Sequence, residues 1–213
     1  MSVVRPEFGP TLPELLRPRL AALPRTVRLA LAVLAALVVA LLAWALLLRN
    51  TDDTKSVVVR RPVALNFVYA PPFAPQRPQA GELARVGAAG QTFAVSPLRL
   101  PAYRGDAAGL LPLYASQLTT QMERQYRAFV LRSEGRVNVN RIQGYEIVFQ
   151  FRRNGQLAYG RRVMLLPTTT AREGAQLLLT APRSLAIPRA DAVGRNGPLK
   201  TPLRSFRFGT ERP

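Results

Sequence analysis

The sequence predicts an α+β protein: a single N-terminal transmembrane helix followed by one antiparallel-sheet domain with a packed helix. Three observations carry this. Residues 29–48, LALAVLAALVVALLAWALLL, hold no charge, proline or glycine. Apolar residues alternate on both sides of Asn154-Gly155, the period of a strand pair. Between them, residues 110–129 repeat apolar groups every three or four positions, the period of an amphipathic helix.

At a rise of about 1.5 Å per residue, the apolar run spans roughly 30 Å, the thickness of a bilayer's hydrocarbon core. Leu29 and Leu48 bound the segment, Val38 falls near its middle, and Trp44 is expected at the outer interface, where indoles are favoured. Residues 1–28 form a short basic tail, with five arginines against Glu7 and Glu14, and residues 49–62 read as a polar juxtamembrane tether. A short basic flank resists translocation, so a single-pass cell-membrane protein is expected, with a cytoplasmic N-terminus and an extracytoplasmic domain over residues 63–213. Ala43-Trp44-Ala45 has the small-x-small form of a signal-peptidase site. Leu46, Leu47 and Leu48 prolong the apolar run where a polar stretch would follow cleavage, which favours an uncleaved signal anchor.

In the domain, residues 63–69 (VALNFVY) read as a strand stopped by Pro71-Pro72, and residues 92–100 as an edge or broken strand because of Pro97. The helix over 110–129 places Leu111, Tyr114, Leu118, Met122 and Tyr126 on one face, with Pro112 tolerated in the first turn and Asp106 available as a cap. Residues 129–131 and 136–139 read as strand pieces broken at Gly135, and residues 175–180 (AQLLLT) as a further strand. The stretch from Pro182 to Pro202 is punctuated by breakers and reads as a loop, before Leu203, Phe206 and Phe208 close the chain.

The hairpin around Asn154-Gly155 admits two registers. A two-residue turn sets Phe149 opposite Gly160 and Tyr145 opposite Met164. A three-residue loop, Arg153-Asn154-Gly155, sets Phe149 opposite Tyr159, Tyr145 opposite Val163 and Glu146 opposite Arg162. The second gathers the large apolar groups on one face and pairs charges on the other, so it is the expected register. It leaves Arg161 on the apolar face beside Ile147, either reaching to water at the sheet margin or aimed into a pocket.

Composition narrows the chemistry. The chain has 30 Lys+Arg against 12 Asp+Glu, a net charge of +18, nearly all from arginine. Such an excess attracts anionic lipid, an anionic polymer, nucleic acid or an acidic protein, and also suits the coding bias of a GC-rich genome. With no cysteine there is no disulfide, thiolate nucleophile or cysteine-borne lipid; with no histidine the usual general base and the commonest metal ligand are missing. No G-x-S-x-G, S-x-x-K or phosphate-loop motif occurs, so neither catalysis nor a cofactor is expected. The arginine doublets Arg152-Arg153 and Arg161-Arg162 are the candidate partner-binding residues.

From Asn66 onward the chain presents a strand meeting Pro-Pro, an amphipathic helix, the hairpin GYEIVFQFRRNGQLAYGRRVMLLP, a strand ending LLLTAP and a terminal Ser-Phe-x-Phe. That order resembles the PsbP-like superfamily of α/β/α sandwich domains, which includes photosynthetic extrinsic subunits, a Ran-binding transport factor and actinobacterial envelope lipoproteins. The resemblance implies a non-catalytic binding or assembly module and carries over no site residues. Two departures stand out: no cysteine is available for lipid attachment, so the apolar helix would take its place, and no long closing helix is evident.

The expected function is therefore a membrane-anchored extracytoplasmic binding or assembly module, an accessory subunit or scaffold of an envelope complex. Its partners would be the bilayer, other envelope proteins and anionic lipid or polymer. The alternatives are an envelope hydrolase using serine or carboxylates, and a basic domain for nucleic acid or anionic polymer. The preferred register, by burying the hairpin's aromatics, weighs against nucleic acid.

Overall fold

The computed structural model describes residues 24–49, 54–102 and 105–211. The chain divides into two compact units, Met1–Asp52 and Asp53–Pro213.

In the first unit, helix α1 (Arg25–Arg49) contains the whole apolar run. Leu29, Val38 and Trp44 are exposed on it at 67%, 48% and 66%. Among the described residues no helix is long and apolar enough to cross a membrane. The tail over residues 1–23, tether residues 50–53 and the side chain of Leu48 lie outside the described residues.

The second unit is α+β, with every strand pair antiparallel. Its strands are β1 (Lys55–Val59), β2 (Leu65–Tyr69), β3 (Ala74–Gln76), β4 (Ala84–Ala88), β5 (Gln91–Arg99), β6 (Val130–Val139), β7 (Ile142–Arg153), β8 (Gln156–Leu165), β9 (Glu173–Pro182) and β10 (Arg207–Phe208). A seven-stranded sheet has the order β3-β4-β5-β9-β8-β7-β6, and β1-β2-β10 form a second, smaller one. Helix α2 (Leu111–Gln125) and the short α3 (Lys200–Ser205) complete the unit.

Both faces of the large sheet are buried. On one, α2 lays Leu111, Ala115, Leu118 and Met122 over Leu98, Ile147, Phe149, Phe151 and Met164. On the other, β2 and the segment from Ile187 to Phe206 cover Phe93, Val95, Val163, Leu177 and Leu179. Phe67 of β2 meets Phe93 with ring centroids 4.9 Å apart.

Several expectations are corrected. The tether is a strand in part: Lys55–Val59 pairs with Leu65–Tyr69, and Val57 and Val59 pack on the core, as a β-branched run favours. Pro97 lies on an interior strand, not an edge. Pairing with β4 ends at Ala84 opposite Val95, so beyond that point β5 needs donors only toward β9. Residues 130–139 form one strand whose irregularity falls between Leu131 and Ser133, not at Gly135. Helix α2 stops at Gln125, earlier than expected: Tyr126 turns extended and Ala128 takes φ 52°. Asp106 caps the 3-10 turn Ala107–Leu110 leading into α2, accepting from Ala108 N–H at 3.0 Å.

The β7–β8 hairpin takes the two-residue register, with Phe149 opposite Gly160 and Tyr145 opposite Met164. Asn154 and Gly155 adopt φ 51° and 78°, the two left-handed positions of a type I′ turn. The longer loop would suit a sheet with one apolar face and one wet face. Here both faces are covered, so collecting the bulky groups on a single side brings no advantage.

Candidate functional site

Strand alternation separates the two members of each arginine doublet. Arg152 donates to Gly155 O at 2.9 Å, closing its own turn. Arg153 donates to Gly90 O at 3.1 Å and Thr180 Oγ1 at 3.0 Å, and its guanidinium sits 5.3 Å from the Phe151 ring centroid. Both are exposed. Arg162 turns to the α2 side, donating to Gln176 Oε1 at 3.4 Å, while Gln176 Nε2 donates to Tyr114 Oη at 2.7 Å. Arg161 turns to the opposite side and is buried, at 3% exposure. The four do not form one surface.

Arg161 is the unusual member, because a buried guanidinium must be compensated. Its Nη2 donates to Asp191 O at 2.9 Å. Its Nε lies 3.6 Å from Glu146 Oε2, within ion-pair range, yet neither atom makes a hydrogen bond. The pair balances charge while leaving bonding capacity on both partners. Among the described residues Nη1 makes no hydrogen bond.

Around this pair opens a cleft of about 450 Å³. Its walls are Asn138 and Asn140 at the end of β6, Glu146 of β7, Arg161 of β8, Gly194 and Arg195 of the following segment, and Leu203 and Arg204 of α3. Local chemistry builds each wall. Asn140 and Arg141 take φ 49° and 68° in a two-residue turn, and Asn140 Nδ2 donates to Phe206 O at 3.2 Å, tying the turn to the C-terminal segment. Gly194, at φ 74°, approaches so closely that a Cβ there would lie 2.7 Å from Leu203 Cδ2 and 2.8 Å from Leu179 Cδ2. Only glycine permits both that backbone and that approach. The strap therefore seats on apolar groups and ends above Arg161.

Burial depresses the Arg161 pKa below the ordinary arginine value. Glu146 and Asp191 oppose that shift and Arg195 adds to it. The cleft thus holds three arginines against one carboxylate already engaged, and an incoming anion would relieve the repulsion between Arg161 and Arg195. A lone carboxylate paired to arginine offers no second acid or base for hydrolysis. A second cleft, of about 490 Å³ under the start of α2, contains Asp106, Arg136 and Tyr145 but no buried charge. Among the described residues no three histidine, cysteine or acidic side chains gather as a metal site.

Arg195 and Arg204 were not singled out by sequence, and Glu146, expected opposite Arg162, pairs with Arg161 instead. Only the charge on the apolar side of β8 signalled the site, while Arg195 and Arg204 lie in a segment that reads as a loop.

No protein-family model and no curated protein matches the sequence. Solved structures of similar arrangement include LpqN of Mycobacterium tuberculosis, described as involved in cell envelope biogenesis. It is 12% identical with a TM-score of 0.49, over 74% of this chain and 92% of that one. Another is the cyanobacterial PsbP (CyanoP) of Synechocystis, 12% identical with a TM-score of 0.44, over 75% and 94%. A protein of unknown function from Pseudomonas aeruginosa, a putative regulator, is 16% identical with a TM-score of 0.34, over 59% and 82%.

Proposed function

We propose that this chain is a membrane-anchored, extracytoplasmic binding module whose arginine cleft receives an acidic group of an envelope partner. The buried Arg161, set beside Gly194 and facing Glu146 with no hydrogen bond between Nε and Oε2, is the observation that carries the reading. A structural ion pair alone needs no neighbouring cleft with two further arginines. The anchor rests on hydropathy: residues 29–48 are uncharged, in a helix with Leu29, Val38 and Trp44 exposed. The single-pass orientation, with the N-terminus cytoplasmic, rests on the basic tail. Tethering would confine the domain near the bilayer and raise its effective concentration toward membrane-bound partners.

The test is site-specific photocrosslinking from Asn140, at the cleft rim, in the full chain within its native membrane. A discrete adduct that disappears in the Arg195→Gln/Arg204→Gln double variant is expected. Recovery of nothing but the chain itself, or an adduct indifferent to those arginines, would overturn the reading.

A further inference from the structure

At the far end of the large sheet, the connection after β9 makes a tight turn: Ser184 N–H donates to Ile187 O and Ile187 N–H to Ser184 O, both at 3.1 Å. It is pinned on both sides. Arg183 N–H donates to Leu157 O at 3.1 Å, Tyr159 Oη donates to Pro188 O at 3.0 Å, and Ile187 is fully buried. Leu185, at the tip, is nonetheless 103% exposed. A turn this firmly held does not display its leucine by fraying; the fold projects it.

The ground beneath the leucine is cationic. Arg183 and Arg189 flank it in sequence, Arg152 and Arg153 stand on the adjoining β7–β8 turn, and Arg132 lines a small cleft with Arg189. Asp191 lies 3.5 Å from Arg189.

We infer that this end of the domain docks on an anionic lipid surface, with Leu185 entering the interfacial layer and the arginines meeting lipid phosphates. The shape favours lipid over an acidic protein. A single projecting leucine supplies a small fraction of the roughly 800 Å² per partner that a stable protein interface buries. A bilayer interface accepts an isolated apolar side chain beneath arginines that reach up to headgroups. Clustered basic residues are drawn to an anionic lipid surface. Asp191 adjoins both surfaces, its main-chain oxygen accepting from Arg161, but Leu185, Arg183 and Arg189 do not line the Arg161 cleft.

The natural absence of cysteine permits a unique label. Leu185→Cys carrying an environment-sensitive nitrobenzoxadiazole probe would be compared with Leu113→Cys, 60% exposed on α2. The full chain is reconstituted with phosphatidylcholine alone or mixed with phosphatidylglycerol, and flotation scores the anchor separately. A blue shift with reduced acrylamide quenching is expected at position 185 and not at 113, only in the vesicles that contain phosphatidylglycerol, and is expected to be lost in Arg183→Gln/Arg189→Gln. Water-like emission at 185 in both lipids would overturn the inference and leave an acidic protein as the occupant. Equal shifts at 185 and 113 would overturn it too.

Discussion

The ring of Phe149 fills the space that a side chain on Gly160, its cross-strand partner, would occupy. A Cβ on Gly160 would collide with the ring, and Phe149 also contacts Tyr126, Phe129 and Phe151 at centroid distances of 5.3, 5.4 and 5.7 Å. Gly160→Ala should therefore destabilise the domain by about 1–3 kcal/mol through overpacking. Adding Phe149→Leu should recover part of that loss. Denaturant midpoints at constant slope would measure both; a neutral Gly160→Ala would contradict the packing.

Buried Arg161 pairs with the half-buried Glu146, so removing the carboxylate strands the guanidinium's charge. Glu146→Gln alone is expected to cost about 3–5 kcal/mol, and Arg161→Met/Glu146→Gln distinctly less than the sum of the single changes. Additive losses in a double-mutant cycle would show that the two residues do not interact.

Glu82 gives the fold an acid limit. Burial raises its pKa, but hydrogen bonds from Arg85 at 2.7 and 2.8 Å and from Gln79 N–H at 2.8 Å outweigh it, holding the carboxyl below the usual range. A depressed folded-state value means this contribution is complete above the unfolded carboxylate pKa and is lost as pH falls through the folded one. Unfolding followed from about pH 6 down to about pH 2, the range of carboxylate titration, should show a shallower acid decline in Glu82→Gln than in the natural chain. Parallel curves would remove Glu82 from the account.

The α+β class, the helical stripe from Leu111 to Met122 and the main strands were legible because periodicity reports burial directly. The hairpin register was not. Its two options differ by which neighbours share a face, and that choice turns on a second covering layer formed by β2 and the segment from Ile187 to Phe206, both outside the hairpin. Asn154-Gly155 itself carried the answer through the left-handed preference of both residues. The site was half legible. Arg161 stood out as a charge among apolar neighbours, whereas Arg195 and Arg204 join it only through the turn at Gly194 and the short α3.

The proposed anchor makes the most direct prediction. Val38 lies near the middle of the uncharged segment and is exposed on α1, so a long side chain there meets no packing obstacle within the helix. Arginine at the centre of a membrane helix costs about 2.5–3.5 kcal/mol on insertion scales. Val38→Arg should accordingly shift the chain from the membrane to the soluble fraction or misplace it, read by flotation and alkaline extraction. The domain over residues 53–213 forms a separate compact unit, so its denaturant transition should not move. Membrane retention equal to that of the natural chain would refute the anchor. Loss of retention together with an altered domain transition would attribute the effect to misfolding instead.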